Sequence, residues 1–167
     1  MGQIKIHPPV KLFAAVTISD KSLWPVIKNK LEQLFSSIDR SIDWYSFHHT
    51  QYYQAEMGQN LIKRMISFAE LIWAEKLMDI KLTTNKIEEE FSNDRKRKVN
   101  IDPGYLCASK IVLATTKDFS HRIYLGRGIF GDLHLQYRNN RFQPTDWTYP
   151  DYREPFVLKF FEQVRET

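Results

Sequence analysis

Leu12-Phe13-Ala14-Ala15-Val16-Thr17-Ile18 is an unbroken apolar, partly β-branched run that stops at Ser19 and Asp20. A run this short, without polar alternation, reads as a buried central strand and makes a sheet the framework of the fold. Downstream, Ser22 is placed to cap a helix with Pro25 in its first turn. Leu23, Val26, Ile27, Leu31, Leu34 and Phe35 then recur at helical spacing, giving an amphipathic helix to lay against the sheet.

Asp43 to His49 is aromatic and strand-like, and Leu61 to Phe68 reads as a further strand. Trp73, Leu77, Ile80, Thr84, Ile87 and Phe91 follow at steps of three and four, a mostly apolar stripe on a helix of about five turns. Core packing explains that stripe better than a cofactor box does. Lys98 to Ile101 reads as a strand entering Asp102-Pro103-Gly104-Tyr105, whose Pro and Gly suit the centre of a type II turn. Leu106 to Thr116 has no decisive period, and a helix is favoured there. His121 to Leu125, a Gly126-Arg127-Gly128 turn and Asp132 to Arg138 form strands, with Leu133, Leu135 and Tyr137 assigned to one face. Asn139-Asn140 closes a hairpin into Arg141 to Gln143. After an aromatic connector from Trp147 to Arg153, Pro155 opens a helix burying Val157, Phe160, Phe161 and Val164. Taken in order these elements predict an α+β fold. Its expected core is a ferredoxin-like βαββαβ unit with an antiparallel sheet, followed by a C-terminal β-hairpin extension and a terminal helix. Residues 1–167 form a single domain on this reading, with neither repeat nor linker.

Several segments together resemble the prokaryotic domain of unknown function 4416 family. They are Val10-Lys11-Leu12-Phe13, Tyr52-Tyr53 with Glu56-Met57-Gly58, Asn100 to Leu106, Leu113 to Asp118, His121 to Gly126, and Trp147 to Arg153. The resemblance spans essentially the whole chain and implies relatives, but no chemistry.

Composition narrows the classes. With 167 residues, 43% of them hydrophobic, the chain is long enough for a continuous core. No apolar stretch approaches the roughly 18 residues of a membrane span, and residues 1–11 lack a signal peptide's apolar segment, so a cytoplasmic location is expected. Cys107 is the single cysteine, which excludes an internal disulfide and a cysteine metal knuckle. A formal charge of +4 favours anionic partners mildly. The cationic run Arg95 to Lys98 reads first as a solvated loop.

Chemistry is densest at Thr115-Thr116-Lys117-Asp118 and His121-Arg122-x-Tyr124. Lys117 and Arg122 are suited to phosphate oxygens, while Asp118 and His121 can exchange protons. Strand alternation would send His121 and Arg122 to opposite faces. The aromatic stretch Trp44 to Tyr53, with Trp147, Tyr149 and Tyr152, offers stacking platforms for bases, although strand spacing buries about half of it. His48-His49-Thr50 evokes two-histidine phosphoesterases, but a second His-x-Thr is missing. No metal site, P-loop, dinucleotide fingerprint or nucleophile elbow is expected.

The leading expectation is a binding module for a phosphate-bearing ligand, a nucleotide or short RNA. Lys117, Arg122 and Arg153 would take phosphate, with Tyr52, Tyr124 or Tyr149 for stacking. Two alternatives stay open. One is a hydrolase or phosphotransferase using Asp102, Asp118 or His121 as acid or base; the other is a protein interaction module built on the connector from Trp147 to Tyr152.

Overall fold

The structure is a computed structural model and describes residues 2–48, 54–93 and 96–167. Strand β1 (Val10–Ile18) has all nine residues buried. Asp20, not Ser22, accepts the Ser22 N–H at 2.9 Å to start a 3₁₀ turn, which runs into α1 (Trp24–Leu34) with Pro25 in its first turn. β2 (Ile38–Ser41), β3 (Tyr45–Ser46), a single helical turn α2 (Gln54–Met57) and β4 (Ile62–Ile72) follow. α3 (Leu77–Glu90) leads to a minimal hairpin of β5 (Ser92–Asn93) and β6 (Lys96–Arg97). The remainder is β7 (Val99–Cys107), β8 (Lys110–Thr115), β9 (Arg122–Gly126), β10 (Ile129–Arg138), β11 (Arg141–Pro144) and α4 (Pro155–Arg165).

The class is α+β with one large antiparallel sheet in the order β11-β10-β8-β7-β1-β4-β2. β3 adds to β4, and β9 adds to β10. β1 lies near the middle, and helices cover both its faces. Leu12, Ala14, Val16 and Ile18 pack with Ile27 and Leu31 of α1 and Ile80 and Ile87 of α3. Phe13 and Ala15 face the other way, towards Val157, Phe160, Phe161 and Val164 of α4. Those four recur at steps of three, one and three, so one stripe of α4 is apolar, and burying each contributes about 1.5–3 kcal/mol.

Two element assignments are corrected. Asp102-Pro103-Gly104-Tyr105 is not a turn but the middle of β7, paired along its length with β1. Leu106 to Thr116 is not helical: it holds the end of β7, a tight reversal at Ala108-Ser109, and β8. Gly104 is needed in the strand because a Cβ there would lie 2.5 Å from Phe13 Cζ and 2.7 Å from the Val112 carbonyl oxygen. The hairpin at Asn139-Asn140 is as expected, both residues having positive φ. One face assignment changes, because the β8 to β10 register shifts between Leu133 and Leu135. This shift at His134 turns Leu135 into the α4 core while Leu133 stays half-buried.

Candidate functional site

The site begins with a split in the sheet. β7 and β8 pair only from Gly104↔Leu113 to Cys107↔Lys110, and beyond that they diverge. In an antiparallel ladder the amide and carbonyl of alternate residues point to the same edge. Ile101 turns its backbone groups away from β1: its N–H donates to Glu88 Oε1 at 2.7 Å, and its carbonyl accepts from Lys81 Nζ at 3.0 Å. Pro103, two residues on, faces the same way and has no N–H to donate, so the ladder stops there. α3 thus seals the exposed edge of β7 with side chains, and a cleft opens between β7 and β8.

The cleft holds about 290 Å³, with Asn100 and Asp102 of β7 on its floor, Lys81, Asn85, Glu88 and Glu89 of α3 on one wall, and Thr115, Thr116 and Lys117 opposite. Lys81 Nζ lies 3.3 Å from Asp102 Oδ1, and Asn100 donates to Asp102 Oδ2 at 2.8 Å. Arg97 bridges Glu88 Oε2 at 2.8 Å and Glu56 Oε2 at 2.6 Å. Burial works against the charge of Asp102, but Lys81, then Lys63 and the Asn100 hydrogen bond outweigh it and hold the carboxyl below its ordinary range. Burial wins at Glu88, whose carboxyl is raised despite Lys81. One cleft therefore contains two carboxyls displaced in opposite directions.

A second recess of about 490 Å³ adjoins it, sharing Lys117 and Tyr149 and lined otherwise by Phe119, His121, Arg122 and Trp147. The His121 ring is parallel to Trp147, with centroids 4.9 Å apart, and to Phe119 at 6.1 Å. Beneath it lies a buried polar cluster. Arg122 donates from Nε to Asp132 Oδ2 at 2.9 Å, from Nη1 to the Lys117 carbonyl at 3.0 Å, and from Nη2 to Tyr149 Oη at 2.9 Å. His134 Nε2 accepts the Tyr149 N–H at 3.0 Å, so its ring proton sits on Nδ1, which faces Asp132 Oδ1 at 3.2 Å. Burial lowers the His134 pKa and keeps the ring neutral, whereas for Asp132 burial is outweighed by His134 and Arg122, which hold it ionised. The Tyr149 hydroxyl is pushed up to about 12, chiefly by burial and then by Asp102.

The sequence candidates separate accordingly. Lys117, His121, Arg122 and Tyr149 line the aromatic recess, and Asp102 lies in the cleft beside it. His121 and Arg122 do not diverge as alternation suggests. His121 precedes the first residue of β9, and its Nε2 approaches the same Asp132 oxygen as Arg122, at 3.4 Å. Asp118 and Tyr124 line neither cavity; Tyr124 Oη accepts the Gly128 N–H at 3.3 Å on the far side of its hairpin. Arg153 gives its donors to the carbonyls of Thr148, Thr145 and Asp146 and so fixes the connector. Tyr52 falls outside the described residues. Sequence reasoning missed Lys81, Glu88, Asp132 and His134. Lys81 and Glu88 carried a signal, since they fall four residues after Leu77 and Thr84, on the buried stripe of α3.

Residues 8–167 match the family described as Domain of unknown function (DUF4416). The chain belongs to that family. No curated protein and no solved structure matches it, so for this DUF4416 member the geometry alone carries the chemistry. Among the described residues no group of three or more His, Cys, Asp or Glu is placed to hold a metal ion, and no helix is long and apolar enough to cross a membrane.

Proposed function

We propose that the joined recesses bind a nucleotide, free or at the end of a short RNA strand. The carrying observation is that two cavities of different chemistry meet at Lys117 and Tyr149. The aromatic recess offers Trp147, 38% exposed, to a base on the face that His121 leaves uncovered, whereas Phe119 already carries the His121 ring and the Arg122 guanidinium. The polar cleft offers Lys117 and the Thr115 and Thr116 hydroxyls to phosphate, and Asn85 and Asp102 to sugar hydroxyls. Both volumes suit a small ligand, whose pockets hold about 300–1,000 Å³. Trp147 is held ready, its indole N–H donating to the Leu133 carbonyl at 2.7 Å.

Native mass spectrometry followed by calorimetric titration with nucleoside mono- and diphosphates tests this reading. A retained nucleotide, with binding about tenfold weaker in Lys117→Ala, is the expected result. Tight binding of short oligonucleotides but not of nucleotides would move the ligand to RNA. No binding of either kind at millimolar concentration overturns the reading.

A second reading, a hydrolase or phosphotransferase, is favoured by Asp102 and Glu88, whose carboxyls are displaced in opposite directions within one cleft, a pattern that separates acid from base. Release of inorganic phosphate from a nucleotide panel, lost in Asp102→Asn, supports it; a silent panel removes it. The strand order β7-β1-β4-β2, with α1 linking β1 to β2 and α3 between β4 and β7, supports the ferredoxin-like description of the core.

A further inference from the structure

β9 has one edge on β10 and, among the described residues, no strand on the other. Its three central residues are apolar or aromatic and all exposed: Ile123 73%, Tyr124 60% and Leu125 42%. The one charged side chain of the strand, Arg122, is turned inward onto Asp132. Natural sheets guard such an edge with lysine, proline, a cover or very short length. β9 shows neither lysine nor proline, and it is five residues long.

The same molecule contains a segment of matching character. Residues 2–9 precede β1 and are exposed throughout, with Ile4 at 101% and Ile6 at 83%. Ile4-Lys5-Ile6-His7 alternates apolar and polar as a half-buried strand does, yet among the described residues it pairs with no strand. Residues 3–7 match the five residues of β9 in length, and Pro8-Pro9 sets them off from β1 as a stiff spacer.

It cannot reach its own β9. Four strand spacings, from β1 across β7, β8 and β10 to β9, amount to about 19 Å at roughly 4.8 Å each. Val10 is also level with the β7–β8 reversal, whereas β9 pairs with the other end of β10, about 15 Å further along the strands. The separation is therefore about 24 Å, and the five residues from Lys5 to Val10 span at most about 18 Å. A tail from another molecule has no such restriction.

We propose that residues 3–7 of one copy add as a strand to the open edge of β9 in a second copy, with the reciprocal exchange closing a two-fold dimer. Main-chain hydrogen bonds supply the attraction, and the isoleucines of the tail cover Ile123 and Leu125 or Tyr124 according to register.

Size-exclusion chromatography with light scattering on the full chain tests it. The wild type is expected near 40 kDa, twice 19.9 kDa, with a share of monomer that rises on dilution. Deletion of residues 2–7, none of which is buried, is expected to leave a folded monomer. Ile123→Lys, at an exposed position, is expected to do the same without touching the tail. A wild type that stays monomeric at high micromolar concentration overturns the proposal. So does a deletion variant that remains dimeric while Ile123→Lys dissociates, since β9 would then be pairing with another β9.

Discussion

Replacing Lys81 by methionine keeps the apolar stem and removes the ammonium that serves Asp102, the Ile101 carbonyl and, at 3.9 Å, Glu88. The side chains of Lys81 and Glu88 are 6% and 5% exposed and that of Asp102 is 22%; Glu88 keeps Arg97 at 2.8 Å, so Asp102 is the carboxylate that loses its contacting cation, with water compensating in part. Breaking a buried pair costs about 3–5 kcal/mol, and the partial exposure of Asp102 places this variant near 3. For a chain of this size that corresponds to a fall in Tm of roughly 6–12 °C. The pH dependence gives the sharper test. Asp102 has a depressed pKa in the folded wild type, so its contribution to stability is present above the unfolded value and lost as pH falls through the folded one. Without Lys81 both carboxyls should titrate higher, the penalty should be complete at pH 7, and protonation should relieve it on acidification. Urea unfolding of both proteins from pH 7 to pH 4.5, followed by tryptophan fluorescence, should show the stability gap narrowing. A gap below about 1 kcal/mol at pH 7, or one that widens on acidification, refutes the reasoning, and Asp102→Asn in the Lys81→Met background should recover part of the loss.

Gly104→Ala drives a methyl group into Phe13 and a backbone carbonyl that cannot rotate away, so a loss near the upper end of the 1–3 kcal/mol typical of overpacking is expected in the same urea assay. Tyr152 is fully buried with its hydroxyl unpartnered among the described residues, so Tyr152→Phe should be neutral or slightly stabilising by calorimetry; a loss above about 1 kcal/mol would reveal a hidden partner. Trp147→Ala should weaken nucleotide binding by about 1–3 kcal/mol if the base stacks there, and unchanged affinity would relocate the base. His134→Phe leaves the Tyr149 amide and Asp132 Oδ1 without a partner, Oδ2 keeping Arg122, and is expected to destabilise the fold by at least about 2 kcal/mol at neutral pH.

Elements whose signal is local were legible in the sequence: the apolar run of β1, the stripes of α3 and α4, and the paired asparagines of the β10–β11 hairpin; of the stripe expected on α1, Ile27 and Leu31 are buried while Val26 and Leu34 are exposed. Elements set by distant partners were not. Pro103 and Gly104 carry a turn's chemistry, but their reasons are remote, a strand that departs on one side and a phenylalanine ring packed underneath. β8 escaped because its apolar residues serve both faces of the sheet and leave no alternation to read. At the site, the cluster from Lys117 to Arg122 stood out by residue type alone. Its anchors Asp132 and His134 look like solvated positions on a hairpin until the register shift at His134 and the connector carrying Tyr149 bring them under the recess.

The proline that ends the β7–β8 ladder also bears on how the cleft behaves when empty. A gap between strands ordinarily tends to zip shut, since each new rung repays the ordering it demands. Here the next rung lacks its donor by covalent structure, and the neighbouring backbone groups of Ile101 are already satisfied by Lys81 and Glu88. The opening is thus the relaxed state of the sheet, and the nucleotide proposed above would find a cavity that it neither has to pry apart nor wait to have assembled.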